Sequence, residues 1–311
     1  MKTVKTVKTV KIVEVGLRDG LQNETSQLSI EQRYDLYEKL VQSGIKNIEV
    51  GAFVSPKWVP QMAVTEALCA MITSENKKNK SAKTKVAASV LVPNQQGMLQ
   101  AINAGLKEVA IFAACSESFS QKNLNCSIAE SFERFIPIMQ LAEEFNIKVR
   151  GYLSTCFACP FEGKVSEKKV MGLAKKMHTL GVYEISIGDT IGAANVAQVI
   201  SLFTQLKKVL PIKKIAGHFH DTHGQALVNI FAAYQMGVRT FDSSIAGLGG
   251  CPYAPGASGN VATEDVVYMF DGMKIKTGIN LDELILINRW LRPLINHELS
   301  SKVGRAKYIK S

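Results

Sequence analysis

Gly16-Leu17-Arg18-Asp19-Gly20-Leu21-Gln22 follows the first short apolar run of the chain, residues 11–15, and its reading decides the fold. A strand that opens a doubly wound, nucleotide-binding sheet is normally followed by a GxGxxG turn, whose glycines let the backbone close on a phosphate. This stretch has no such spacing and instead carries an arginine and an aspartate at the strand end. Seven more β-branched runs recur at residues 47–50, 86–92, 109–113, 148–153, 183–187, 215–219 and 240–245. Each is too short and too apolar for a surface helix and reads as a parallel strand buried on both faces.

The segments between the runs carry helix punctuation. Ser29-Ile30-Glu31-Gln32 is a capping box, with Ile30, Tyr34, Tyr37 and Val41 at helical spacing behind it and Gly44 as the stop. Ser127-Ile128-Ala129-Glu130 opens another helix in the same way. Asn195 begins a third, with Val199, Ile200, Phe203, Leu206 and Leu210 on one face and Pro211 at its end. Eight βα units in succession predict a (β/α)8 TIM barrel over residues 11–278, an α/β fold. A basic tail, residues 1–10, precedes it, and residues 279–311 form a helical extension of the same domain, expected to cover part of the barrel or a subunit contact.

Composition narrows the function classes. The chain has 311 residues, 46% of them hydrophobic, so it can bury a large core without staples. Its six cysteines, at 69, 115, 126, 156, 159 and 251, are scattered and do not form a disulfide framework. Cys156-x-x-Cys159 stands alone, without the second ligand pair of a zinc site. No apolar run approaches the ~20 residues that span a bilayer. The start, MKTVKTVKTVK, lacks the apolar region of a secretory signal and the arginines of a transit peptide, so a cytoplasmic protein with no membrane contact is expected. The formal charge of +10 resides partly in the first lysines and in Lys77, Lys78, Lys80, Lys83 and Lys85. No aromatics interleave these lysines, so nucleic acid is not the expected partner, whereas a ligand with a phosphorylated tail suits a basic surface.

In a barrel the chemistry collects at the carboxyl ends of the strands. There the chain places Arg18 and Asp19 after strand 1, Glu49 in strand 2, Asp189 after strand 6, and His218-Phe219-His220-Asp221 at strand 7. Strand 8 leads to a loop holding Cys251 and Asn260. Closure makes strands 6-7-8-1-2 one arc. Side chains alternate along a strand, so His218 and His220 point the same way and with Asp19 make a set of two imidazoles and one carboxylate. Three of the five histidines fall within residues 218–223, which favours a ligand role. The same set describes the facial triad of non-haem iron oxygenases, although that usually comes on a double-sheet scaffold. An amide oxygen from Asn260 as fourth ligand favours magnesium or manganese over zinc. The stretch 247–260 holds five glycines in fourteen residues around Cys251, the composition of a gating lid that carries a proton donor.

These segments resemble the hydroxymethylglutaryl-CoA lyases, a branch of the metal-dependent barrel lyases that also include isopropylmalate and homocitrate synthases. The resemblance runs over almost the whole chain from Val13. It is carried by Gly16 to Asn23, by Glu49 and Phe53-Val-Ser-Pro-Lys-Trp-Val-Pro-Gln-Met62, and by Asn123-Leu-Asn-Cys-Ser127. Gly188-Asp-Thr-Ile-Gly192, Gly217-His-Phe-His-Asp-Thr222 and residues 247–265 complete it. The Arg-Asp pair and His-x-His are shared with the synthases. The Ser-Pro-Lys-Trp stretch and Gly-Gly-Cys-Pro-Tyr point to the lyase branch, and the short tail after Gly278 leaves no room for a synthase's accessory region.

The resemblance implies cleavage of 3-hydroxy-3-methylglutaryl-CoA to acetyl-CoA and acetoacetate, a retro-Claisen step on an acyl-CoA substrate. It implies a divalent cation (Mg2+ or Mn2+) held by Asp19, His218, His220 and Asn260. It further implies Asp189 or His218 as the base and Glu49 as an orienting group. Arg18 then stabilises the enolate, Arg18 and Gln22 contact substrate, Cys251 donates the final proton, and the assembly is a homodimer. The rival readings are a condensing synthase of the same superfamily and, outside enzymes, a basic nucleic-acid binder.

Overall fold

The structure, a computed structural model, describes residues 9–78, 86–250 and 259–308. Eight parallel strands close into a barrel: β1 (Lys11–Glu14), β2 (Asn47–Ala52), β3 (Ala87–Leu91), β4 (Glu108–Ala114), β5 (Lys148–Ser154), β6 (Ile185–Asp189), β7 (Ile215–Phe219) and β8 (Thr240–Ser243). Closure is made by β1 against β8, with Lys11 opposite Thr240 and Glu14 opposite Ser243. Helices α1 (Ile30–Gln42), α2 (Thr65–Lys78), α3 (Gln95–Asn103), α4 (Glu117–Leu124), α5 (Ile128–Glu144), α6 (Glu167–Thr179), α7 (Val196–Val209), α8 (Ala226–Gln235) and α9 (Thr263–Gly272) follow the strands in turn, with both α4 and α5 between β4 and β5. The TIM barrel is therefore as the sequence predicts. Among the described residues no helix is long and apolar enough to cross a membrane.

The apolar runs serve one face only. Ile12, Ile48, Val109, Ile111, Val149, Ile185, Ile187 and Phe241 belong to the core cluster beneath the helices, each contributing about 1.5–3 kcal/mol on burial. The strands are buried on both faces as expected, and several of the alternate positions, which face the barrel axis, carry charge. Arg150 pairs with Glu184 at 2.9 Å and with Asp242 at 2.8 Å, and Lys11 reaches Glu184 at 2.9 Å. The periodicity of 2 is intact, but short runs broken by single charges conceal which side those charges occupy.

Three helix starts form as read: Ser29 with Gln32, Ser127 with Glu130 and Asn195 with Gln198 are all reciprocal capping boxes. Two buried faces differ from the reading. In α1 the buried residues are Arg33, Leu36, Tyr37 and Leu40, with Ile30, Tyr34 and Val41 at its margins. In α7 Leu202 takes the place expected of Ile200, which is 43% exposed. The extension is also two helices, α10 (Leu281–Leu291) and α11 (Lys302–Tyr308), because Pro293 lacks an amide hydrogen and ends the first. Between them the chain crosses the carboxyl-end face, where the amide of Ser301 donates to the Ala246 carbonyl and that of Asn296 to Ser26 Oγ.

Candidate metal centre and active-site cavity

After β1 the chain makes a single π-helical turn, Gly16–Gly20. Such wide turns recur at functional sites because they re-aim side chains without breaking backbone pairing. Gly20 sits tight against the β8 side: a Cβ there would lie 2.7 Å from Ser244 Oγ and 3.0 Å from Leu248 Cβ. The turn directs Arg18 and Asp19 into a cavity of about 240 Å³ at the carboxyl ends of the strands, which Gln22, His218 and His220 also line.

Arg18 is 5% exposed and held between two carboxylates. Its Nε donates to Glu49 Oε2 at 2.8 Å, its Nη1 to Asp19 Oδ1 at 2.5 Å, and its plane lies 5.5 Å from the centre of the Tyr152 ring. Burial works against its charge, but the carboxylates of Glu49 and Asp19 hold it protonated. Tyr152 donates to Glu49 Oε2 at 3.2 Å, so Glu49 lies behind the arginine and fixes its orientation.

Asp19, His218 and His220 offer ligand atoms within 4.8 Å of one another. Asp19 Oδ2 lies 3.8 Å from His218 Nε2 and 3.9 Å from His220 Nε2, and the two Nε2 atoms are 3.1 Å apart. Burial, then the proximity of His218, lowers the pKa of His220 to about 4, so its ring is neutral with a lone pair to offer. Despite burial, Arg18 and the two histidines keep Asp19 ionised far below the usual carboxylate range. Its Oδ2 and two facing imidazole nitrogens, one of them on a ring whose buried Nδ1 has no hydrogen-bond partner among the described residues, suit a divalent cation.

Asn260 stands behind this trio. Its Nδ2 donates to Asp19 Oδ2 at 2.8 Å and to the Leu248 carbonyl at 3.3 Å, so the nitrogen, not the oxygen, faces the carboxylate. Asp189 does not line the cavity. Its two oxygens accept from the amides of Ala193 and Ala194 at 3.0 and 3.1 Å, and burial raises its pKa to about 6. Cys251 lies outside the described residues.

Sequence reasoning missed Asp242. It pairs laterally with His218 across β7 and β8, so both face the axis. Asp242 Oδ2 lies 3.3 Å from His218 Nδ1 and accepts from Ser186 at 2.6 Å, while Oδ1 accepts from Arg150. A carboxylate only accepts, so Nδ1 carries a proton and Nε2 is left facing the cavity. Alternation from Thr240 was the available signal, since it places Asp242 inward. Also missed were the apolar side chains of Leu91, Pro93, Phe112 and Phe119, which line the cavity together with Asn123, Cys126 and Arg134.

Residues 9–291 match the HMGL-like family model. The chain is 48% identical to the hydroxymethylglutaryl-CoA lyase of Pseudomonas mevalonii over 96% of both chains. It superposes with a TM-score of 0.92 on the crystal structure of the hydroxymethylglutaryl-CoA lyase from Pseudomonas aeruginosa, at 43% identity, covering 98% of this chain and 99% of that one. An HMG-CoA lyase from Acinetobacter baumannii in complex with coenzyme A and 3-methylmalate gives 0.89 at 36% identity, over 96% and 95% of the two chains.

Proposed function

The chain belongs to the HMGL-like family, and from that membership we propose that it is a carbon–carbon lyase cleaving 3-hydroxy-3-methylglutaryl-CoA to acetyl-CoA and acetoacetate with a divalent cation, Mg2+ or Mn2+. The observation that carries this reading is the convergence of Arg18 with Asp19, His218 and His220 on one cavity. The solved relative with coenzyme A bound supports an acyl-CoA substrate. Asp19, His218 and His220 would hold the cation, and half a turn of the Asn260 amide would add its oxygen. A bound divalent ion supplies Lewis acidity toward the tertiary hydroxyl, making its proton easier to remove.

The chain's own groups do the rest. The base is Asp189 or His218: the Asp189 pKa of about 6 suits proton transfer near neutrality, but both of its oxygens accept from backbone amides outside the cavity lining, whereas His218 lines the cavity. Carbon–carbon cleavage places negative charge on the thioester oxygen. Arg18, held rigid by Glu49 and Tyr152, stabilises that enolate without having to reorganise. Gln22 lines the same wall and positions the substrate. Cys251 returns a proton to the enolate carbon before the reaction reverses. The test is to mix the protein with 3-hydroxy-3-methylglutaryl-CoA and Mg2+ or Mn2+ and assay acetoacetate, with EDTA as control. No acetoacetate, with thiol release from acetyl-CoA and 2-oxoisovalerate instead, would make the chain a synthase.

A further inference from the structure

Neither the ionic core nor the cation set accounts for the C-terminal extension or for Glu24. We propose that Glu24 and His297 are positioning residues, through which the extension holds Gly249 and, by its contact with Gly259, sets Asn260 against Asp19. The inference rests on the metal-dependent reading above.

Glu24 lies in the loop after the π-helical turn and is 7% exposed. One oxygen, Oε1, accepts the amide of Gly249 at 3.1 Å, and the other meets His297 Nε2 at 2.7 Å. His297 Nδ1 lies 3.0 Å from the Glu298 carbonyl, so both ring nitrogens face acceptors and the ring is held as a double donor. From Gly249 the connection continues: its carbonyl accepts the amide of Gly259 at 2.8 Å, and Asn260 follows directly. Gly249 has φ of +110°, and a Cβ there would stand 2.8 Å from Asn260 Nδ2, so only glycine lets the two approach.

The extension also grips the far end. Lys302 Nζ donates to Asp221 Oδ2 at 2.6 Å, and the Asp221 amide donates to the Gly259 carbonyl at 2.7 Å. Glu24 is itself held from behind. Gln61 Nε2 donates to its carbonyl at 2.6 Å, and Arg33 Nη2 donates to Gln61 Oε1 at 2.7 Å. A path of hydrogen bonds thus runs from His297 through Glu24, Gly249 and Gly259 to the amide facing Asp19. Groups that orient a ligand set from behind typically change metal affinity 10–100-fold when removed.

The test measures Mn2+ binding to the metal-free full chain by the EPR signal of free Mn2+, beside hydrogen exchange of the peptides spanning 245–250 and 259–262. Glu24→Ala should raise the Mn2+ Kd about tenfold, at the low end of that range, and speed exchange in both peptides while α5 exchanges as before. Glu24→Gln keeps an oxygen for the Gly249 amide and should restore the Kd to within about threefold, still short of the change that removal brings. A purely structural role would instead lower the melting temperature in both variants with Kd unmoved, and that result overturns the proposal. Equal loss in Glu24→Ala and Glu24→Gln also overturns it, because charge and not position would then be at work. Should Glu24→Ala fail to fold, His297→Ala, at a half-exposed site, interrogates the same path, and unchanged Kd and exchange there are equally fatal. A wild-type chain that binds no Mn2+ removes the metal reading alone, and the exchange data then decide the positioning.

Discussion

Asp242→Asn changes one buried oxygen to an amide nitrogen and asks which nitrogen of His218 faces the cavity. In the wild type Oδ1 accepts from Arg150 at 2.8 Å, and Oδ2 accepts from Ser186 at 2.6 Å and faces His218 Nδ1 at 3.3 Å. Arginine can only donate, so the asparagine oxygen stays with Arg150 and the NH2 turns to His218. A donor against Nδ1 favours the tautomer with its hydrogen on Nε2, where no cation can bind. Loss of such a partner costs about 10–100-fold in metal affinity, or about 1.4–2.8 kcal/mol. The fold should survive, because Arg150 keeps Glu184 at 2.9 Å and the penalty stays below the roughly 3–5 kcal/mol of stranding a buried charge outright. Mn2+ titration followed by EPR, with urea unfolding of the same sample, separates the two effects. Ser186→Ala serves as the control, since it removes a donor but leaves the carboxylate facing Nδ1. A folded Asp242→Asn protein that binds Mn2+ as tightly as the wild type refutes the reasoning.

Arg18→Gln should lower kcat by about 10²–10³, the usual loss on removing one oxyanion donor, with metal binding retained; unchanged kcat in steady-state assays would dismiss the enolate role. Cys251→Ala should lower kcat by orders of magnitude with little change in Tm, and turnover near wild type would mean that another group protonates the enolate. Glu264 is buried, accepts from Asn288 and from the Ala246 amide at 2.9 Å each, and burial raises its pKa to about 8. The folded chain therefore keeps a proton that the unfolded chain releases from about pH 4.5 upward, so this group costs stability progressively as pH rises toward 8. Urea unfolding from pH 5 to 8 should show Glu264→Gln gaining on the wild type as pH rises, by at most about 1.4 kcal/mol per unit; a constant difference across that range would count against the shift.

The barrel and the meeting of Asp19 with His218 and His220 were legible in the sequence because both rest on local periodicity. Eight short runs separated by capped helices leave few ways to bury their apolar faces, and every strand end lies within two residues of its expected place. His218 in β7 and His220 just past its end share a side because the alternation continues into the bridge that His220 makes with Asn260, and closure of β8 on β1 brings Asp19 to them. Only the tertiary structure decided the rest, for one physical reason: a side chain's partner across the barrel is set by register and twist, not by spacing along the chain. Register put Asp242 beside His218 and a network of ion pairs on the axis. The backbone amides of Ala193 and Ala194 turned Asp189 from the cavity, where position alone had placed it. The extension, which read only as a cover, meets Glu24 through a histidine 273 residues away, a distance over which no sequence pattern operates.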